Sequence, residues 1–366
     1  MIGIIGGYGK AGLQAARVLK AWGNRPLRIG GRNPEKHRQT LINQFPEAEW
    51  IEVDIENDDS LKKFITGCEL IINCVGPSHK TTARVMKICL SNNCHLVDAG
   101  EEKGIEEISL PFHGSAVLHS AGALPGLSGI LPRWLAGSFD NVTDLTAYSG
   151  GLDQFTLSGA EDYLFGVFDK PKPPLSAWKD GACRPFALKR ETCVALPFFR
   201  DEVTLHPYFD TETEFVARQL SLINGQWYMG TAGERMSAAL EGISGQFYAD
   251  TKGAIKRLCS ASQLDAAGRQ TYFNYLIQLE GIKQGNPLTR TLVLQATGAC
   301  ELTGAVAAVA GIALLSKELS FDICPVSAIS NPGALIPRLS ETEIISQLDV
   351  FDCSISELSQ EIEGEI

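Results

Sequence analysis

A six-residue pattern near the start of the chain constrains its fold more than any other feature. The apolar run Ile2–Ile5 ends in glycines, and Gly7-Tyr8-Gly9-Lys10-Ala11-Gly12 then reads G-x-G-x-x-G. Behind it, Leu13, Ala16, Val18 and Leu19 recur at helical spacing. A bare glycine pattern is weak evidence. A strand before it and an amphipathic helix after it make it a dinucleotide-binding turn. In that turn Gly7 is expected to allow the tight bend. Gly9 lets a pyrophosphate approach the backbone, and Gly12 lets the helix pack on the sheet. The helix N-terminus then faces the anion, with Tyr8, Lys10 and Ala11 filling the rest of the loop.

The residues that follow keep alternating two periods. Strands are predicted at 27–29, 50–53, 70–75, 95–97 and 116–119, and helices at 34–45, 59–64, 81–90 and 105–112. Pro34 suits the first turn of its helix. The run at 70–75 is wholly apolar, as a strand covered on both faces should be. Strands alternating with helices across short connections imply a doubly wound parallel sheet, the α/β Rossmann arrangement.

The second strand indicates which dinucleotide is bound. An NAD site places an acid near its end, about 20 residues beyond the motif, to hold the free ribose diol. Here 32 − 12 = 20, and the residue is Arg32, within Gly30-Gly31-Arg32-Asn33. A guanidinium there clamps a 2′-phosphate and stacks on adenine, with Lys36 or Arg38 adding charge. NADP(H) is therefore the expected cofactor, held by Gly31, Arg32, Asn33 and Lys36 in addition to the glycine loop. Asp54-Ile55, at the end of the third strand, is expected to border the adenine or to cap the next helix.

Ligands of such sheets bind beyond the carboxyl ends of the strands. Asn73-Cys74-Val75-Gly76-Pro77 ends the fourth strand, and its Gly-Pro pair turns the backbone aside to leave room for the nicotinamide ribose. His79 follows two residues later. Glu101 stands after the fifth strand and His119 at the end of the sixth. These three are the candidate proton donors, in that order, because histidine titrates near neutrality and a glutamic acid would need burial to do so.

Composition excludes several other classes. Lys and Arg total 32 against 43 Asp and Glu, a net charge of −11, which disfavours broad nucleic-acid binding. The longest apolar run, 304–315, is too short to span a bilayer and reads as a buried helix. The ten cysteines show no CxxC pair and no zinc-ligand spacing, so no metal is expected. Several sit in apolar runs and read as reduced core residues of a cytoplasmic protein. No leader is expected ahead of the first strand. Glu357, Glu361, Glu363 and Glu365 make residues 341–366 an acidic tail.

Past Gly122 the character changes. A helix at 127–135 leads into a β-rich, irregular region with strands at 142–148 and 190–196. An antiparallel pair at 272–282 and 289–295 is joined at Gly285-Asn286. A small-residue helix at 301–315 follows. The expected organisation is an NADP-binding domain (1–122), a mixed α/β substrate and dimerisation domain (123–297), a segment returning to the first domain (298–340), and the tail.

Several segments resemble the saccharopine dehydrogenase/reductase-like superfamily. They are IIGGYGKAG (4–12), GGRNPEK (30–36), NCVGP (73–77), HLVDAGEE (95–102), SAGALPGLSGILP (120–132), LEGIKQGNPL (279–288) and SNPGALIPRL (330–339). The likeness is specific up to residue 132 and diffuse in the middle. It implies C=N chemistry, in which NADP(H) reduces an imine or oxidises an amine, and pairing of two chains through their second domains.

Two departures turn away from a lysine-pathway substrate. Leu124 stands where semialdehyde reductases of the family often carry an acid, and Ser78 where an aromatic residue often follows the proline. Siderophore thiazoline reductases of the enantiopyochelin type also resemble this superfamily. The reading is thus a reductase of a cyclic imine, free or tethered to a carrier protein, with Tyr148, Phe155, Tyr163 and Phe165 available to line an apolar cleft. A saccharopine- or lysine-type dehydrogenase and a non-catalytic NADP-sensing protein are the alternatives.

Overall fold

The computed structural model describes residues 1–100, 114–169, 172–320 and 322–364. The chain forms two compact units. The first holds residues 1–130 and 300–342, the second 131–299 and 343–366.

The first unit opens with the predicted alternation. It runs β1 (Ile2–Ile5), α1 (Lys10–Trp22), β2 (Leu27–Gly31), α2 (Pro34–Leu41), β3 (Glu49–Glu52), α3 (Asp58–Ile65), β4 (Leu70–Asn73), α4 (Ser78–Ser91), β5 (His95–Asp98) and β6 (Val117–His119). Each element has a local cause. Gly23, at φ +73°, closes α1 with its N–H on the Leu19 carbonyl. Asn57 caps α3, its side chain accepting from the Asp59 and Ser60 amides, with two aspartates in the first turn. Every residue of β1 and β4 is buried, because helices cover both sheet faces. Behind the sheet, Phe64, Leu61, Ile71, Val85 and Leu96 share one apolar cluster. The helix expected at 105–112 lies outside the described residues.

Helix α5 (Leu127–Ala136) leads into the second unit. There follow β7 (Asn141–Leu152), α6 (Leu157–Phe168), β8 (Ala177–Lys179), β9 (Ala182–Arg184), β10 (Glu191–Val194), β11 (Val203–Pro207), α7 (Thr211–Gln219), β12 (Asn224–Thr231), α8 (Glu234–Leu240), α9 (Ile243–Ala249), α10 (Thr251–Ala266), β13 (Tyr272–Lys283) and β14 (Asn286–Ala296). The hairpin turns at Gln284-Gly285, φ +51° and +81°, one residue before the expected pair.

Helix α11 (Ala299–Leu315), β15 (Ile323–Pro325) and α12 (Ile336–Ser340) complete the first unit, and β16 (Ile345–Phe351) and α13 (Ile355–Gly364) the second. The first sheet has the order β15-β6-β5-β4-β1-β2-β3 and is parallel throughout. The main path of the second is β10-β11-β12-β7-β13-β14-β16, parallel only at β12–β7. The architecture is therefore α/β, a Rossmann sheet with a second, mixed unit.

The acidic-tail reading of 341–366 is corrected. Strand β16 pairs with β14 from Thr291↔Phe351 to Ala296↔Ile345. Its half-polar sequence suits an edge strand with one side in solvent.

Candidate functional site

The glycine loop takes the expected place but shifts the expected roles by one residue. The left-handed residue is Gly6, at φ +77°, rather than Gly7. The Gly6 and Gly7 amides both donate to the Gly30 carbonyl, at 3.0 and 3.1 Å. A Cβ on Gly7 would strike Ile29 Cγ2 at 2.6 Å, so Gly7 is there for close packing. A Cβ on Gly12 would stand 2.2 Å from the Gly6 carbonyl oxygen, while one on Gly9 would meet only that oxygen, at 3.4 Å. Gly9 is thus the open face of the cradle. Helix α1 starts at Lys10 with no side-chain cap and no acid in its first turn, which leaves the amides of Lys10, Ala11 and Gly12 facing outward.

At the end of β2, each glycine makes room for an aromatic ring. A Cβ on Gly30 would meet Phe64 at 2.3 Å, and one on Gly31 would meet Tyr8 at 2.5 Å. Arg32 and Lys36 are exposed, Asn33 precedes α2, and Pro34 takes its first turn. Asp54 serves its own turn. Its carboxylate accepts from the Glu56 amide at 3.0 Å, and its amide donates to Ser60 Oγ at 3.0 Å. Ile55 is half-buried, and its carbonyl accepts from Arg84.

The ends of β4 and β5 are locked by a pair that motif reading did not assign. Asn73 Nδ2 donates to Asp98 Oδ2 at 2.8 Å, and both side chains are buried. Asn73 Oδ1 accepts from the Val75 amide at 3.2 Å, and Asp98 Oδ1 from the Gly100 amide at 2.7 Å. Thr81 Oγ1 donates to the Val75 carbonyl at 2.9 Å. These bonds fix Cys74, Val75, Gly76 and Pro77 as a shaped turn. Burial, with Asp98 nearby, pushes the Cys74 thiol up to about 12, so it stays protonated. A Cβ on Gly100 would strike Ser78 Cβ at 2.6 Å and Thr82 Oγ1 at 2.7 Å, so this corner accepts only glycine.

The proton-donor candidates differ in setting. His79 is half-buried in the first turn of α4. His119 is buried at the end of β6, its Nδ1 3.2 Å from Ser120 Oγ, and burial lowers its pKa to about 4. Near pH 7 its ring is therefore neutral rather than an imidazolium. Glu101 lies outside the described residues.

An NADP(H) molecule fits these residues. The cradle at Gly9 would be filled by a side chain, the first turn of α1 is uncapped, and β2 ends on a cation instead of the acid a free ribose diol requires. Gly7 to Gly12 would hold the pyrophosphate, Arg32 and Lys36 the 2′-phosphate, and the turn at 74–77 the nicotinamide end. Sequence reading overlooks the rings beside this site, His37 and Trp50. Both stack with Tyr8, and single aromatic residues at unrelated positions carry no motif.

Fold and site together define an NADP-binding protein of the Rossmann class. Comparison with known proteins agrees. Residues 2–124 match the family described as the saccharopine dehydrogenase NADP binding domain. A probable mitochondrial saccharopine dehydrogenase-like oxidoreductase of Arabidopsis thaliana is 28% identical over 149 residues, covering 35% of this chain. The match spans only a third of that relative's length (33%). Apo saccharopine dehydrogenase (L-Glu forming) of Saccharomyces cerevisiae shares the fold, with a TM-score of 0.66 over 96% of this chain and 99% of that one, at 13% identity. The first two matches liken the N-terminal unit to saccharopine dehydrogenase NADP-binding domains and support NADP(H) as the cofactor, and the third shows the shared fold. Among the described residues, no helix is long and apolar enough to cross a membrane.

Proposed function

We propose that the chain is an NADP(H)-dependent oxidoreductase acting on a C=N bond, and that its substrate is a cyclic imine, a thiazoline of a siderophore intermediate. The observation that carries the reading is the cofactor site, in which an open glycine cradle and Arg32 fall within a saccharopine dehydrogenase-type NADP-binding domain. Bound cofactor supplies the hydride. The chain's own part is to orient the acceptor and deliver one proton to nitrogen. The locked ends of β4 and β5 give a rigid floor for that work. A saccharopine-type amino-acid dehydrogenase is the second reading, favoured by the fold shared with the yeast enzyme over nearly the whole chain.

The test follows NADPH consumption with a thiazoline or other cyclic imine, and in parallel with pairs of an amino acid and a 2-oxo acid. Turnover of the imine alone supports the first reading and turnover of the pairs the second. Cofactor binding with no turnover of either points to an NADP sensor. In the reductase, His79→Ala is expected to lower turnover by about 10²–10⁴-fold at saturating NADPH, as for a lost general acid. Glu101→Ala ranks behind it and His119→Ala last, because the buried His119 ring is neutral near pH 7 and holds no imidazolium proton to give. If all three keep turnover within a few-fold, none is the donor, and water or the substrate supplies the proton.

We further propose a homodimer with an isologous interface through the second unit. β16 covers the outer side of the β13–β14 hairpin, so the hairpin offers a sheet face for pairing rather than an edge. Light scattering that gives only 39.6 kDa at micromolar concentration rejects the dimer.

A further inference from the structure

Helix α2 carries Lys36 and follows Arg32, yet apolar packing hardly holds it. None of its eight residues, PEKHRQTL, is buried. A set of rings attaches it instead. Tyr8, from the glycine loop, stacks on His37 of α2 at 4.4 Å between centroids and 13° between planes. It lies near-parallel to Trp50 of β3 as well, at 6.0 Å and 13°. The edge of Tyr8 presses on Gly31, where a Cβ would stand 2.5 Å from Cε2. The Tyr8 hydroxyl is buried and has no hydrogen-bond partner among the described residues. The ring faces, not the hydroxyl, therefore make its useful contacts. A single side chain thus ties the loop that cradles the pyrophosphate to the segment that bears the 2′-phosphate cations.

We propose that Tyr8 and His37 are positioning residues for 2′-phosphate recognition, which set α2 against the glycine loop so that Arg32 and Lys36 stand ready for the phosphate. The inference rests on the NADP(H) reading above. It differs from that reading in assigning selectivity to two residues that are not among the 2′-phosphate cations. Removing the stack leaves every cation in the sequence but releases the helix that presents them. The loss should fall on NADPH and largely spare NADH, whose pyrophosphate still meets the glycine loop.

The experiment titrates the full-length protein with NADPH, NADH and 2′,5′-ADP by calorimetry, with circular dichroism to confirm folding. Tyr8→Leu and His37→Ala are each expected to weaken NADPH and 2′,5′-ADP about tenfold and NADH less than threefold. His37→Phe restores a stacking face and should recover most of the NADPH preference. Tyr8→Phe keeps the ring, folds if Tyr8→Leu does not, and should hold the wild-type ratio. An unchanged ratio in both disruptive variants, an equal loss for both dinucleotides, or a lost ratio in Tyr8→Phe overturns the proposal while the cofactor reading stands. A wild type with no preference for NADPH overturns both.

Discussion

Changing Arg32 to alanine is expected to remove about 1–3 kcal/mol of the preference for NADPH over NADH, the size of a charge-assisted phosphate contact. The side chain follows β2 directly and is exposed. It makes no ion pair or hydrogen bond with other described residues, so its removal costs the fold little. Gly30 and Gly31 hold the strand end close to Phe64 and Tyr8, which leaves Arg32 as the first side chain able to reach outward. The acid substitution Arg32→Asp should go further. It supplies the acceptor a ribose diol needs and repels a 2′-phosphate, so NADH should bind the better of the two. The preference should also weaken as ionic strength rises. Titration of both dinucleotides at two salt concentrations checks this. Equal affinities in the wild-type protein would sink the idea.

A second large effect is expected far along the chain. Gly304, in α11, packs so tightly on α1 that an added Cβ would stand 1.9 Å from the Ala11 carbonyl oxygen and 3.0 Å from its Cα. Neither group can yield, since Ala11 sits in the first turn of α1 just behind the glycine cradle. Helix α11 cannot retreat either, for it is buried continuously from Gly304 to Leu314. Gly304→Ala should therefore cost about 1–3 kcal/mol, and Gly304→Leu more. In a unit of this size that lowers the melting midpoint by about 2–4 °C per kcal/mol. NADPH affinity should fall too, because the displaced residue belongs to the pyrophosphate loop. Gly245→Ala, an exposed helical site with nothing within 4 Å, is the control and should be neutral or slightly stabilising. A Gly304→Leu protein that melts with the wild type would refute the packing argument.

How much of this is legible from residues alone depends on whether the signal is local. The alternation of apolar strands and amphipathic helices locates β1 to β6 within a few residues, most plainly at β1 and β4, where burial on both faces leaves an almost unbroken apolar run. The glycine motif and the cation at position 32 are likewise readable, each being a short-range pattern with one physical purpose. The order of roles inside the motif is not. Whether Gly6 or Gly7 turns left-handed depends on the Gly30 carbonyl, which arrives from another strand. The Asn73–Asp98 lock and the Tyr8–His37–Trp50 stack are invisible for the same reason, since each joins residues far apart in the chain. β16 hides differently. Its sequence, ISQLDVF, mixes buried and exposed positions, and the acids beyond it make the whole end look solvated.

The interleaving of the two units carries a consequence for how the chain is made. Val117 of β6 pairs with Ile323 of β15, so the last strand of the first sheet is synthesised 206 residues after its neighbour. Until then the nascent sheet ends on β6, an open parallel edge of the kind that recruits other strands. The second sheet waits longer still, because β16 emerges last of all its strands. Neither unit closes before the ribosome has passed residue 342, and pairings this distant are slow to find. At about 5–20 residues per second, β6 therefore stays unpaired on that side for roughly 10–40 s of synthesis, long enough for a nascent edge to meet other strands.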